Sequence, residues 1–355
     1  MNSAQPDASR LSTEEWSQLC SVLNGYVYSQ AIATGCELGL FTFLADNPGA
    51  TLEGIEAGLN ISAYSTRVLM LASCATRLVS KEEAKYFNSS LANKALVTGS
   101  DYSMTRFVEF NDKIQRRCMT HFTQALRETR NTGLNEFPGQ GENLYERLTD
   151  YPDLERLFQE AMGQYTRLSP SMMDMEEFSE VRHLLDIGGG DASNAIRLCR
   201  QYPELRVTVA DIPSVAAIAA GRVAKAGLAS RIDCIALDMF RDPWPSECDA
   251  ILMSHLVEIF MPAKIQLLYR RAWEALPAQG RLFVWTLMSN DAETEGLQAA
   301  KSSIYFLTTA SGEGMTWPGA EHEGWLLGAG FGNVKRYDVR ATDHGGLVAT
   351  KQAPQ

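Results

Sequence analysis

The chain is poor in several features that would each have fixed its class. Its seven cysteines, at 20, 36, 74, 118, 199, 234 and 248, are scattered with no C-x-x-C pair, which argues against a disulfide framework and for reduced core thiols. Lysine and arginine number 32 against 43 aspartates and glutamates, a formal charge of -11. Such a chain lacks the basic face that phosphate neutralisation requires, so no nucleic acid partner is expected. No apolar run approaches the roughly 18 residues of a membrane span. The opening MNSAQPDASRLSTEEW has neither the basic nor the apolar region of a signal peptide. A cytoplasmic protein without a membrane partner is the expectation. Internal repeats and low-complexity tracts are not evident either. What remains is ordinary for a globular protein: 45% hydrophobic and 21% charged residues in a length of 355, enough for two domains with separate cores.

The most informative stretch is 182–213, RHLLDIGGGDASNAIRLCRQYPELRVTVADIP. A buried strand (183–187), a glycine turn (Gly188, Gly189, Gly190), a helix near 192–201 and a strand (205–210) closed by Asp211 make the first half of a parallel βαβ unit. Glycines let the backbone pass close to a ligand. An acid at the tip of the second strand, 25 residues after Asp186, is placed to hold a ribose diol. The turn is not the dinucleotide G-x-G-x-x-G. Acids flank it, Asp186 and Asp191, and they would repel a pyrophosphate but suit a ligand bearing an amine and a sulfonium. This pattern resembles the first motif of class I S-adenosylmethionine (SAM) methyltransferases, in which the glycine loop lies under the amino acid portion of SAM.

Around this stretch the chain divides into three expected regions: a disordered tail over 1–12, a helical region over 13–175 and an α/β region over 176–355. Ser12-Thr13-Glu14-Glu15 starts a capped helix. Three more helices follow, then LVSKEEAKYFNSS reads as a hairpin wing, giving a winged-helix arrangement. A DNA-binding head and a dimerisation and substrate-covering domain both fit that outline. The apolar run Val68-Leu69-Met70-Leu71-Ala72 and the acidic charge favour dimerisation. Residues 103–175 read as almost wholly helical, and Met162, Met172, Met173 and Met175 mostly as core packing. After 176, alternating strands and helices predict a Rossmann-like, doubly wound, mostly parallel sheet with its ligand at the C-terminal strand edge.

With these elements in place the chain resembles the small-molecule O-methyltransferase family of plant caffeate and flavonoid enzymes and bacterial polyketide tailoring enzymes. The likeness spans the helical N-terminal domain, LLDIGGG, VADIP, the triplet Asp238-Met239-Phe240, EALP and WLLGAGF. It implies a homodimer. It implies that SAM is held by Asp186, Gly188, Gly190, Asp211, Asp238, Met239 and Phe240, with Ser254 beside them, and that Met162 and Tyr165 line the substrate pocket.

One departure redirects the chemistry. Counting back from Glu274-Ala275-Leu276-Pro277, the family's H-D-W triplet, whose histidine is the general base, falls on Glu258-Ile259-Phe260, while a histidine stands three residues earlier at His255. A helix starting near His255 would put it and Glu258 on one face. With His322 as a third member they could ligate a divalent metal such as iron, zinc or nickel. A smaller branch of the family is similar in this respect: C-methyltransferases that act on the β-carbon of 2-oxo acids with a bound metal. The expectation is therefore metal-assisted C-methylation of an amino-acid-derived 2-oxo acid, with Glu258 as base or ligand and Arg116 or Arg117 clamping the carboxylate. Conventional O-methylation of a hydroxylated aromatic is the alternative, and a SAM-sensing winged-helix regulator is the non-enzymatic one. His121, His183 and His344 read as structural.

Overall fold

A computed structural model describes residues 11–170, 172 and 175–352. Most of the expected tail, residues 1–10, and Met173 lie outside the described residues. Two compact units form, one running to Lys113 and the other from Ile114. The helical stretch 114–175 thus belongs with the sheet, not with the N-terminal helices as its composition suggested. Helicity is legible in a sequence, but the surface a helix packs against is not.

The first unit carries helices α1 (Thr13–Leu23), α2 (Gly25–Glu37), α3 (Leu40–Asp46), α4 (Leu52–Leu59) and α5 (Ala63–Ala75). The wing follows as strands β1 (Val79–Glu82) and β2 (Lys85–Asn88), paired antiparallel. The capping box at the start of α1 is complete: Ser12 Oγ accepts from Glu15 N–H at 3.1 Å and Glu15 Oε2 from Ser12 N–H at 2.7 Å. The core of this unit is built on Leu40, Phe41, Leu44, Ile55, Met70 and Val79. Helix α1, by contrast, buries none of its residues. Trp16, Leu19, Val22, Leu23 and Tyr26 stand exposed along α1 and the start of α2, far more apolar surface than a helix of a finished monomer leaves in water. The paired substitution Trp16→Glu and Val22→Glu is expected to convert a dimer to monomers in analytical ultracentrifugation without unfolding the sheet unit.

The second unit holds a seven-stranded sheet of order β5-β4-β3-β6-β7-β9-β8. Its strands are β3 (His183–Ile187), β4 (Arg206–Asp211), β5 (Ile232–Ala236), β6 (Ala250–Ser254), β7 (Arg281–Leu287), β8 (Phe331–Val339) and β9 (His344–Lys351). The first five in chain order are parallel, while β9 inserts antiparallel between β7 and β8. The strands are nearly continuous apolar runs because helices cover both faces. One face packs on Leu184, Val207, Leu252 and Phe283, the other on Leu185, Ile251, Val284 and Tyr269. Met172 and Met175 are buried in the first of these cores, as the packing reading expects. The strand order reverses between β3 and β6, the crevice where ligands of such sheets bind. Because β9 runs backwards, its first residue, His344, pairs with Leu287 at the end of β7 and so reaches the same edge.

Candidate active site

The glycine turn leaves β3 in left-handed backbone, with φ of 68° at Gly188 and 57° at Gly190. A Cβ on Gly188 would come within 2.8 Å of Leu256, whereas one on Gly190 would meet nothing within 4 Å. The turn is tight on the protein side and open on the other. Asp211, at the end of β4, accepts from Gly190 N–H at 2.9 Å and Ile212 N–H at 2.8 Å, tying the turn to the next strand. Asp238 sits beyond β5, where its Oδ1 accepts from Phe240 N–H at 2.9 Å; Met239 and Phe240 pack against the sheet core. Ser254 Oγ accepts from Asn194 Nδ2 at 3.2 Å, linking the end of β6 to the helix after the turn.

The two acids flanking the turn part ways. Asp191 forms an ion pair with Arg222 and accepts from Ser193 N–H, so its charge is already answered. Asp186 is 1% exposed, and neither of its carboxylate oxygens has a partner. Burial, reinforced by the charge of Asp211, pushes its pKa up to about 7. A buried, unanswered acid under a turn that opens outward suits a cationic group such as the ammonium of SAM, which Asp186 would hold, and Asp211 offers the acid that would take a ribose diol. When bound, SAM supplies an electrophilic methyl group.

Next to this cradle lies a cluster of titratable side chains. His255 follows β6 in left-handed backbone, φ 50°, a conformation that costs a non-glycine residue on the order of 1–2 kcal/mol. Its N–H donates to Trp285 O at 2.7 Å, which anchors the bend. No regular α-helix starts here as the sequence suggested: a single 3₁₀ turn, Val257–Ile259, carries Glu258. The pair forms nonetheless, with His255 Nδ1 3.3 Å from Glu258 Oε1. Glu258 is 3% exposed and its Oε2 has no partner. A carboxylate only accepts, so in this contact Nδ1 is the donor. The charge of Glu258 acts on Tyr145, Tyr165 and Tyr269 and helps burial raise their phenols, that of Tyr165 up to about 12.

Tyr165, on the helix Pro152–Leu168, stands 5.8 Å ring to ring from His255 and 6.1 Å from His344. Met162, one turn earlier, lies on the same helix face. His344 was read from the sequence as structural, yet its ring is 5.3 Å from that of His255. The sequence signal that was available was the Gly345-Gly346 pair after it. A Cβ on Gly346 would meet Trp285 at 2.8 Å; without one, Trp285 lies against β9 and stacks on His344 at 6.1 Å.

Two expected members are elsewhere. His322, on the helix Gly319–Gly328, is fully buried, with Nδ1 2.7 Å from Tyr269 Oη and its ring against Trp325. Burial pushes its pKa down to about 3. Among the described residues no three His, Cys, Asp or Glu side chains converge as a metal ion would need, so the trio His255, Glu258 and His322 is not assembled and does not fit a metal. The reason is the helix: residue 322 falls on its inward, core-packing side. Arg117 is half-exposed. It donates to Glu136 O at 3.3 Å, lies 3.6 Å from the Glu136 carboxylate and covers the Phe137 ring, which gives it a local structural partner in place of the expected substrate.

Comparison with known proteins shows the family. Residues 119–332 match the O-methyltransferase domain and residues 20–98 the O-methyltransferase dimerisation domain, which accounts for the unburied apolar face of α1 and α2 by homodimerisation. The chain is 32% identical over 337 residues to the L-tyrosine C(3)-methyltransferase of Streptomyces lavendulae, covering 94% of this chain and 92% of that one. It is 29% identical to the 3-hydroxy-5-methyl-1-naphthoate 3-O-methyltransferase of Streptomyces sahachiroi, over 94% and 95% of the two chains. The solved structure of the SAM-dependent methyltransferase SibL in its apo form superposes with a TM-score of 0.85 at 33% identity, covering 96% of this chain and all of that one. No helix among the described residues is long and apolar enough to cross a membrane. The cradle under the glycine turn, the sheet order and these likenesses converge: the chain is a SAM-dependent methyltransferase of the O-methyltransferase family, acting on a small molecule.

Proposed function

We propose that this enzyme methylates a phenolic aromatic amino acid at the ring carbon ortho to the hydroxyl, with His255 as the base and Glu258 as its orienting carboxylate. The observation that carries the reading is the His255–Glu258 pair at the sheet edge, an imidazole whose Nδ1 lies 3.3 Å from a buried acid. That is the arrangement of a general base. Removing the phenol proton places negative charge on oxygen and, by resonance, on the ortho carbon. Glu258 then stabilises the imidazolium, and Tyr165 borders the same space. The likeness to an enzyme named for methylating L-tyrosine at C3 favours carbon over oxygen as the methyl acceptor.

Metal-assisted methylation of a 2-oxo acid, the expectation from sequence, needs a ligand set that the His322 position does not supply. The present reading keeps the carbon acceptor of that expectation and drops its metal. The test is incubation of the dimer with SAM and L-tyrosine, with phenylpyruvate plus iron, zinc or nickel as the competing arm, and location of the new methyl group by NMR. A ring-methylated tyrosine is the expected product. Methyl ethers alone would move the reading to O-methylation, and turnover confined to the metal-supplemented oxo acid would overturn it.

A further inference from the structure

We propose that His344 is the second base of the reaction, taking the proton from the ring carbon after that carbon has been methylated. This rests on the ring-methylation reading and goes beyond it by dividing the work between two histidines. Methylating a phenol on oxygen requires one deprotonation; methylating it on the ortho carbon requires two, at adjacent atoms. First the O–H proton passes to His255 Nε2. The phenolate's electron pair, delivered through the ring, forms the new carbon–carbon bond as the methyl carbon's bond to sulfur breaks, and that pair leaves with the thioether. The methylated carbon still carries its hydrogen, and the ring is no longer aromatic. That hydrogen then leaves as a proton, and its bonding pair restores aromaticity. At that point the product is a phenolate with one proton on each of two bases; His255 returns its proton to the oxygen, so the net release is one proton, through His344.

The site holds two imidazoles in the relation this requires. Their ring centroids are 5.3 Å apart with planes at 84°, and Tyr165 lies 5.8 Å from one and 6.1 Å from the other, so the three rings cluster at one end of the sheet. Each has its Nδ1 engaged. That of His255 is on Glu258, and that of His344 lies 2.8 Å from the Thr342 carbonyl and 3.1 Å from its hydroxyl. A carbonyl oxygen only accepts, so His344 carries its proton on Nδ1 and presents Nε2 as a lone pair. The atom nearest to Nε2 among its hydrogen-bonding neighbours is Tyr165 Oη at 3.5 Å, too long for a strong bond and readily exchanged for a substrate atom. Burial and the neighbouring His255 push the His344 pKa down to about 4, which keeps that lone pair free of a solvent proton. A weak base suffices, because regaining aromaticity drives the step. Trp285 stacked on one face and the β9 backbone fix the plane of the ring.

The experiment uses L-tyrosine carrying deuterium at both ring positions ortho to the hydroxyl, with turnover compared against unlabelled L-tyrosine. In the wild-type enzyme the rate ratio should stay near one if methyl transfer limits. His344→Phe keeps the ring stacked on Trp285 but removes Nε2. It is expected to lower kcat by about 10²-fold or more and to raise the isotope effect well above the wild-type value, as carbon–deuterium cleavage becomes limiting. If that variant does not fold, His344→Gln is measured in its place. A variant with reduced kcat and an unchanged isotope effect would assign His344 to packing and overturn this inference while leaving the ring-methylation reading intact. Wild-type enzyme that makes no ring-methylated product would overturn both.

Discussion

Glu258→Gln should lower kcat by about 10²- to 10⁴-fold while leaving the Kd for SAM within a factor of two or three. The size follows from what the carboxylate does. It holds the proton of His255 on Nδ1 at 3.3 Å and offsets the positive charge that imidazole acquires when it takes the substrate proton. An amide of the same shape can still touch Nδ1 but carries no charge, and losing such an orienting acid commonly costs this much. The residue is 3% exposed, so water cannot restore the lost charge. Steady-state kinetics at saturating L-tyrosine, paired with calorimetric titration of SAM, checks the split. A variant that lost SAM affinity and turnover in parallel would place Glu258 in the cofactor site, and one with full kcat would remove it from the chemistry.

Asp186→Asn should weaken SAM binding by about 10²-fold, of the size found when one partner of a buried charge pair is removed. It should also abolish a proton linkage. In the free protein the carboxyl is pushed up to about 7, and a cation beside it favours the ionised form. Below pH 7 a proton must therefore leave as SAM binds, so affinity should fall by up to tenfold per pH unit on acidification and level off above 7. The sign for stability is opposite. The folded-state pKa lies above the ordinary 3.8, so this group's contribution is fully present below about pH 4 and is lost as pH rises through 7. At pH 8 the Asn variant should thus melt higher than wild type without ligand, yet gain less from SAM. Thermal melts at pH 6 and 8, with and without SAM, read both effects; a SAM-induced shift unchanged by the substitution would place the ammonium elsewhere.

The parts of this architecture that were legible in the sequence are those whose geometry demands particular residues. Gly188 and Gly190 adopt backbone that other residues resist, and the Ser12–Glu15 box can be read letter by letter. The His255–Glu258 pair was reachable by counting register from Glu274, even though the expected helix is a single 3₁₀ turn. His344 was not reachable. Its place depends on β9 entering the sheet backwards beside β7, and periodicity says that a strand exists without saying which neighbour it takes. His322 failed for the complementary reason. A short helix rich in glycine and small residues has no clear apolar stripe, so nothing in its spacing told that 322 faces the core and Tyr269. The acids flanking the glycine turn looked equivalent in the sequence, and only Arg222, supplied by a later helix, sets them apart.

The interior position of β9 also sets an order of events during synthesis. Among the described residues it is the last of nine strands to be made, yet it lies between β7 and β8, which precede it. Until it emerges, β8 has no neighbour to pair with and β7 presents a bare edge. The nascent chain therefore carries an open, apolar sheet margin, a hazard for misassociation. The glycine turn and the acids Asp186 and Asp211, on β3 and β4, are made earlier and can form first. His344 therefore reaches the site last, when β9 closes the gap between β7 and β8.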